Sequence, residues 1–234
     1  MKFQNAIIKN AQIKSLGNVT DGLVLNLDAA TYTSGDWVDS ISGIHYTLYN
    51  NPTYSADNGG ILTFDPASQQ FAEGPPLNSS LTNWTVEAWL KHDATNMPPG
   101  GSPCIVTQVY AGTPINFTVG NTNDDFPNLK TGFFNGGWIA TNNGVTLTTG
   151  NWYHIIGSWD GTNIRLHLNS ILMSSGSSPG SVSSSGNQDI RLMRRWDADQ
   201  YWGGSLGQVK IYNRALSDVE IYRTFNDSRA RYGI

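Results

Sequence analysis

Apolar residues in this chain recur at every second position in short runs, and almost nowhere at the spacing of a long helix. "LVLNL" (23–27), "ILTF" (61–64), "WTVEAWLK" (84–91), "INFTV" (115–119), "WYHIIGSW" (152–159), "IRLHL" (164–168), "DIRLM" (189–193) and "GQVKIY" (207–212) each present two distinct faces when extended. Clusters of Gly, Asn, Pro, Asp and Ser separate them. Many short strands with turn-rich connections predict an all-β fold, a two-sheet antiparallel jelly-roll sandwich. One segment breaks the pattern. In "SDVEIYRTF" Ser217 is placed to cap a helix, Glu220 reaches back to the cap, and Val219/Tyr222 with Ile221/Phe225 give an apolar stripe. The expectation is a short C-terminal helix over 217–228, packed on the sandwich as a latch.

The serine-rich stretch 174–187 reads as a long loop within one domain, because residues 188–234 are too few to build a second sandwich. Residues 1–20 precede the first strong strand and alternate only weakly (Phe3, Ile7, Ile8, Ile13). They read as an N-terminal arm for docking or attachment, with the jelly-roll domain over 21–234.

A single cysteine excludes a disulfide framework, so stability must come from the core. The net charge is −4, which argues against a nucleic-acid partner, since phosphate binding needs clustered Lys and Arg. Arg191, Arg194 and Arg195 form the densest basic group, and Asp197 and Asp199 follow directly. No apolar run approaches the roughly 18 residues of a membrane span, and "MKFQNAIIKN" lacks the apolar core of a signal peptide. A chain made in a cytoplasm, without membrane insertion, is expected.

Residues 150–172, "GNWYHIIGSWDGTNIRLHLNSIL", hold two of the four histidines. Alternation puts Tyr153, Ile155, Gly157 and Trp159 on one face with Ile164, Leu166 and Leu168. Trp152, His154, Ile156 and Ser158 fall on the other with Arg165, His167 and Asn169. Both histidines therefore point away from the core and read as sheet-surface residues. A two-residue turn at Asp160-Gly161 pairs His154 with His167, whereas a four-residue loop, Asp160 to Asn163, makes them diagonal neighbours. No carboxylate or cysteine of the hairpin joins them on that face, which disfavours a metal site. After Leu168 the chain must reverse at Asn169-Ser170, and a type I′ turn there needs positive φ at both residues.

"GNWYHIIGSWDGTNIRLHLNS", with "WTVEAWLK" before it and "YWGGSLGQVKIYNRALSDVEI" after it, resembles the concanavalin A-like, laminin-G-like jelly-roll family, in which three such blocks occur in this order. The resemblance covers about residues 21 to 226. It implies two antiparallel sheets with a concave face, in a family whose members bind sugars, proteins or calcium through rim loops. "DGLVLNLDAA", "NNPTYSADNGGILTFD" and "FNDSRARYGI" also resemble laminin-G-like domains of tailed-bacteriophage structural proteins. Two positions depart from the family pattern: Ser170 and Pro66 stand where glycine is usual.

The same fold includes glucanases, whose retaining chemistry needs two carboxylates about 5 Å apart. Their E-x-D-x-x-E pattern is absent. Of the three glutamates, Glu73 reads as a loop residue, Glu220 belongs to the capping box, and Glu87 stands alone in its strand, at a position where the resemblance implies a structural hydrogen bond or surface pair and no catalytic role. Cys104 reads as a half-buried thiol without a histidine near it in sequence. A non-enzymatic protein is expected.

Sugar binding has a simple physical signature: pyranose C–H faces stack on exposed aromatics while Asn, Asp and loop backbone groups meet the hydroxyls. Three stretches carry it. "RRWDADQYW" offers Trp196, Tyr201 and Trp202 with Asp197 and Asp199, "FFNGGWIATNN" offers Trp138, and "SGDWVDSISG" offers Trp37 with Asp39. The alternative for each tryptophan is a core or edge anchor, the role assigned to Trp89 and Trp159. For calcium, Asp124 and Asp125 in "GNTNDDFPN" and Asp65 in the "FD" turn are the candidate ligands, with solvated turn aspartates as the alternative. The sequence reading is a binding or structural module of a virion, joined to other virion proteins by its arm. Its loops would meet a cell-surface glycan, and it would form a homo-oligomer or act alone. A secreted or cell-surface lectin and a carbohydrate-active enzyme's binding module are the alternatives.

Overall fold

The computed structural model describes residues 17–77, 81–95, 97, 101–108, 115–121, 128–134, 137–177, 188–197 and 199–234. In chain order the strands are β1 (Leu23–Asp28), β2 (Trp37–Val38), β3 (His45–Tyr49), β4 (Thr53–Ser55), β5 (Ile61–Phe64), β6 (Phe71–Gly74), β7 (Trp84–His92), β8 (Cys104–Gln108) and β9 (Ile115–Gly120). They continue with β10 (Asn128–Phe134), β11 (Trp138–Ala140), β12 (Val145–Thr146), β13 (Trp152–Trp159), β14 (Asn163–Leu168), β15 (Ile171–Ser177), β16 (Ile190–Leu192) and β17 (Gly204–Tyr212). One α-helix, α1 (Asp218–Ser228), follows. The first sheet has the order β15-β14-β13-β7-β17-β5-β4, with β1 beside β17. The second has the order β11-β10-β9-β8-β16-β6-β3-β2, with β12 on β10. The pairings are antiparallel, so the molecule is the expected two-sheet sandwich with one short C-terminal helix.

Period-two alternation builds the core between the sheets. Trp84, Val86, Ala88 and Leu90 of β7 and Val209 and Ile211 of β17 meet Phe117 and Val119 of β9, Leu129 and Phe133 of β10, and Ile190 and Leu192 of β16. None of these is more than 1% exposed, and each Val, Leu, Ile or Phe among them contributes roughly 1.5–3 kcal/mol by leaving water. At Gly157 the two layers approach closely. A Cβ there would meet the Thr131 hydroxyl and lie 2.8 Å from Val119 Cγ2, so glycine is what lets β13 sit against β9 and β10.

The opposite face of the first sheet is not solvent. Ile221 and Phe225 of α1 lie over it, and Tyr232 stacks on Trp89 at 4.2 Å. Helix α1 begins as expected, with a complete capping box between Ser217 and Glu220. The stripe is narrower than expected. Ile221, Thr224 and Phe225 share the face that meets the sheet, whereas Val219 and Tyr222 turn outward and are 69% and 50% exposed.

This cover corrects the reading of the two histidines. They do point away from the main core, but His154 and His167 are only 1% and 2% exposed because α1 roofs their side of the sheet. Ile156 pairs with His167, so the histidines are diagonal neighbours, the register of the longer loop. Asp160 closes that loop: its N–H donates to Asn163 O, and its carboxylate accepts from the N–H groups of Thr162 and Asn163. The stretch 174–187 begins not as loop but as the end of β15, and Glu73 lies in β6 instead of a loop. Val19 packs on Tyr212, Leu216 and Ile221, while residues 1–16, most of the expected arm, lie outside the described residues.

Leu168 pairs with Ile171 across a two-residue turn in which Asn169 and Ser170 have φ of 50° and 66°. Both are left-handed, where a Cβ is a cost that glycine avoids. Ser170→Gly is therefore expected to be neutral or to stabilise by up to about 1 kcal/mol in chemical denaturation, the added unfolded-state entropy working against the gain. A clear loss would assign the Ser170 hydroxyl a stabilising contact.

Candidate functional site

The outer face of the second sheet gathers the sequence candidates that remain near the surface. On β10, Leu129 and Phe133 face the core, so Lys130, Gly132 and Phe134 face out. Trp138 of β11 pairs with Phe134, and the rings meet edge-on at 5.5 Å. Between the buried Ile190 and Leu192 of β16, Arg191 faces out beside Glu73 of β6 and forms an ion pair with it. Tyr49 of β3 stacks on Phe71 of β6 with centroids 4.4 Å apart.

After β16 the chain folds back over this face as a small hairpin. Trp202 N donates to Met193 O, Arg194 bridges Tyr201, and Arg195 N donates to Gln200 O, which leaves Trp196, Asp197 and Asp199 toward the tip. Arg191 Nη1 fastens it to the sheet by donating to Trp196 O at 3.1 Å. The hairpin lays Trp196 on Cys104 and Phe134, and lays Arg194 on the rings of Phe71 and Tyr201 at 4.6 and 5.5 Å. Within "RRWDADQYW", Trp196, Tyr201 and Trp202 are thus buried, while Asp197 and Asp199 face water.

The structure brings two separately predicted places together here. Trp138, 37% exposed, sits 4.7 Å from Trp196, which is 4% exposed. The Arg195 guanidinium lies over the Trp196 ring at 4.5 Å and pairs with Asp197 at 2.8 Å. Asp199 pairs with Arg194 at 2.6 Å and accepts from the Tyr201 hydroxyl at 3.2 Å. Burial, then the neighbouring Asp199 charge against Arg194, holds the Tyr201 phenol above its usual range. The result is an outward indole resting on a buried one, with the exposed carboxylates of Asp197 and Asp199 on the same hairpin as Trp196.

Other candidates go elsewhere. Trp202 is fully buried in the main core, its ring 5.6 Å from His92, because β17 starts immediately after it and carries it between the sheets. Trp37 is equally buried, since β2 pairs with β3 and turns the indole inward. Asp39 beside it accepts hydrogen bonds from the N–H groups of Asn26, Ile41 and Ser42 and so fixes its own turn. Asp65 caps the 3-10 turn Pro66–Ser68, accepting from Ala67 N at 3.1 Å and Ser68 Oγ at 2.7 Å. Asp124 and Asp125 lie outside the described residues. Among the described residues no group of three or more His, Cys, Asp or Glu is placed to hold a metal ion.

Glu87 lies on the other side of the molecule, beneath α1. It is 1% exposed and meets His154 Nε2 at 3.1 Å, Lys210 Nζ at 3.2 Å and the Tyr212 hydroxyl at 3.2 Å. Burial pushes its carboxyl up, but the Lys210 charge and the His154 hydrogen bond outweigh burial and hold it at about 2. Cys104 is fully buried, not half-buried, and burial pushes its thiol up to about 12. A cleft of about 270 Å³ at the end of the first sheet is lined by Thr63, Lys91, His92, Asp93, Thr149 and Ser205, with no indole or phenol ring for stacking.

Sequence reasoning missed Tyr49, Phe134 and the three arginines as parts of this face. The signal for the two aromatic residues was the alternation of "HYTLY" and "NLKTGFF", whose outward residues become legible once the inward ones are fixed.

The fold is similar to that of several solved structures. Domain 4 of AbnA, a GH43 extracellular arabinanase from Geobacillus stearothermophilus solved with arabinotriose, superposes with a TM-score of 0.72 at 17% identity, over 86% of this chain and 97% of that one. The receptor-binding domain of botulinum neurotoxin mosaic serotype C/D gives 0.68 at 14% identity, over 88% of this chain and 51% of that one. Trypanosoma rangeli sialidase gives 0.66 at 14% identity, over 91% of this chain and 34% of that one. This chain thus spans about half of the toxin domain and a third of the sialidase. No curated protein matches the chain significantly in sequence. Residues 66–222, well over half of the chain, match a laminin-G-type family model, and the chain belongs to the concanavalin A-like lectin/glucanases superfamily.

Proposed function

We propose that this chain is a non-enzymatic glycan-binding module whose binding face is the outer side of the second sheet around Trp138. One observation carries the reading: an indole open to solvent rests on a buried indole, Trp196, whose hairpin also carries the outward carboxylates of Asp197 and Asp199 as hydroxyl acceptors. That combination is what a sugar ring needs, an apolar plate for its C–H face and fixed acceptors at its rim. The arabinanase domain solved with arabinotriose and the toxin receptor-binding domain support a binding role by likeness of fold. Glu87, sealed beneath α1, and Glu73, paired with Arg191, give no support to a carboxylate pair facing a substrate. The resemblance of "DGLVLNLDAA" and "FNDSRARYGI" to phage structural proteins supports a place in a virion, with residues 1–20 as the attachment. Detection of the chain by mass spectrometry of purified particles tests that part.

The test of binding is a glycan array probed with the full chain and with Trp138→Ala. Binding is expected to fall about tenfold in the variant, the upper range for a stacked aromatic contact. Stability should fall by only about 1–2 kcal/mol, because the indole is partly in water already. Binding that is unchanged in Trp138→Ala contradicts the assignment of the face.

A further inference from the structure

Resting on that glycan reading, we infer that this face recognises neutral oligosaccharides and discriminates against glycans carrying carboxylate, sulfate or amine groups. Each arginine on the face already has a carboxylate: Arg191 has Glu73, Arg194 has Asp199 at 2.6 Å, and Arg195 has Asp197 at 2.8 Å. Lys130, the further cation of β10 on this side, is 8% exposed and partnered. An anionic ligand would have to displace a carboxylate from its guanidinium, exchanging one ion pair for another of the same kind. The gain is small and the displaced aspartate stays nearby, charged and repelling.

Depth gives the face its outward sign. The Arg194 and Arg195 side chains are each 19% exposed, whereas those of Asp199 and Asp197 are 69% and 40% exposed. A ligand reaching this hairpin therefore meets carboxylate oxygens before it meets guanidinium groups. Those oxygens accept hydrogen bonds from sugar hydroxyls, whereas a sialic or uronic acid finds each guanidinium already paired with a carboxylate. A cationic amino sugar gains little, since each carboxylate is neutralised from behind.

The experiment is an array of matched sets in which one oligosaccharide core is printed neutral, with a terminal sialic or uronic acid, with a sulfate, and with a free amine. The full chain is expected to bind neutral members of at least one set, with affinity changing less than about twofold between low and high salt, because no net charge is paired on binding. Asp197→Asn, which leaves the Arg195 charge without its carboxylate, is expected to raise binding to the acidic member of that set by at least about fivefold. Preference of the wild-type chain for a charged member of its set, weakening with salt, overturns the inference and leaves glycan binding standing. An unmoved response of Asp197→Asn to acidic glycans also overturns it. Absence of binding across the array overturns the glycan reading itself, and this inference with it.

Discussion

Replacing Glu87 by alanine is expected to destabilise the fold by about 3–5 kcal/mol, the cost of stripping one partner from a buried ion pair. Lys210 is 5% exposed and would be left charged beneath α1, and the Tyr212 hydroxyl and His154 would each lose an acceptor. The same group sets an acid limit. Its folded carboxyl is held at about 2, below the ordinary 4.5, so its contribution is present in full above pH 4.5 and is lost as pH falls from there toward 2. Glu220, lowered to about 2 by its hydrogen bond with Arg214 and by Ser217 against desolvation, acts with the same sign in the same window. His92 and His167 are held below 6.5 by burial, so a shallower loss begins as pH drops through that value. Denaturation of the wild-type chain and Glu87→Gln across pH 7 to 3 checks this. The variant should be less stable at neutral pH and show a flatter acid limb, and parallel limbs would mean that Glu87 titrates normally.

Trp202→Ala should cost about 3–5 kcal/mol, as expected for removing a fully buried indole from a core. It should also leave the Trp138 surface intact wherever the protein remains folded. Thermal and chemical denaturation beside a binding assay separate the two. A stable Trp202→Ala protein that has lost binding would return that residue to the ligand face, where the sequence reading put it.

The contrast between these tryptophans shows what the sequence carried. Strand faces were legible, because a period of two needs no partner to be read: Trp152 to Trp159 and Ile61 to Phe64 form strands with the expected bounds. The type I′ reversal at Asn169-Ser170 and the capping box at Ser217 were legible for the same local reason. Exposure was not. His154 and His167 lie on the predicted side of β13 and β14, yet they are buried because a helix some fifty residues later in the chain covers them. Trp196 and Trp202 sit in one motif, six residues apart. One lies on an outer sheet face and the other enters the core, a difference set by where the hairpin ends and β17 begins. The neighbouring positions of Trp138 and Trp196 depend on the pairing of β11 with β10, which no local pattern states.

The most direct test of the account is to map where a bound oligosaccharide touches the protein, by amide chemical-shift perturbation of the labelled chain titrated with the best array ligand. The account predicts the largest shifts at Trp138, including its indole N–H, and in the Arg194 to Asp199 hairpin, with little change in α1. Shifts centred on the Thr63, His92 and Asp93 cleft or on α1, with Trp138 and the hairpin unmoved, would contradict it.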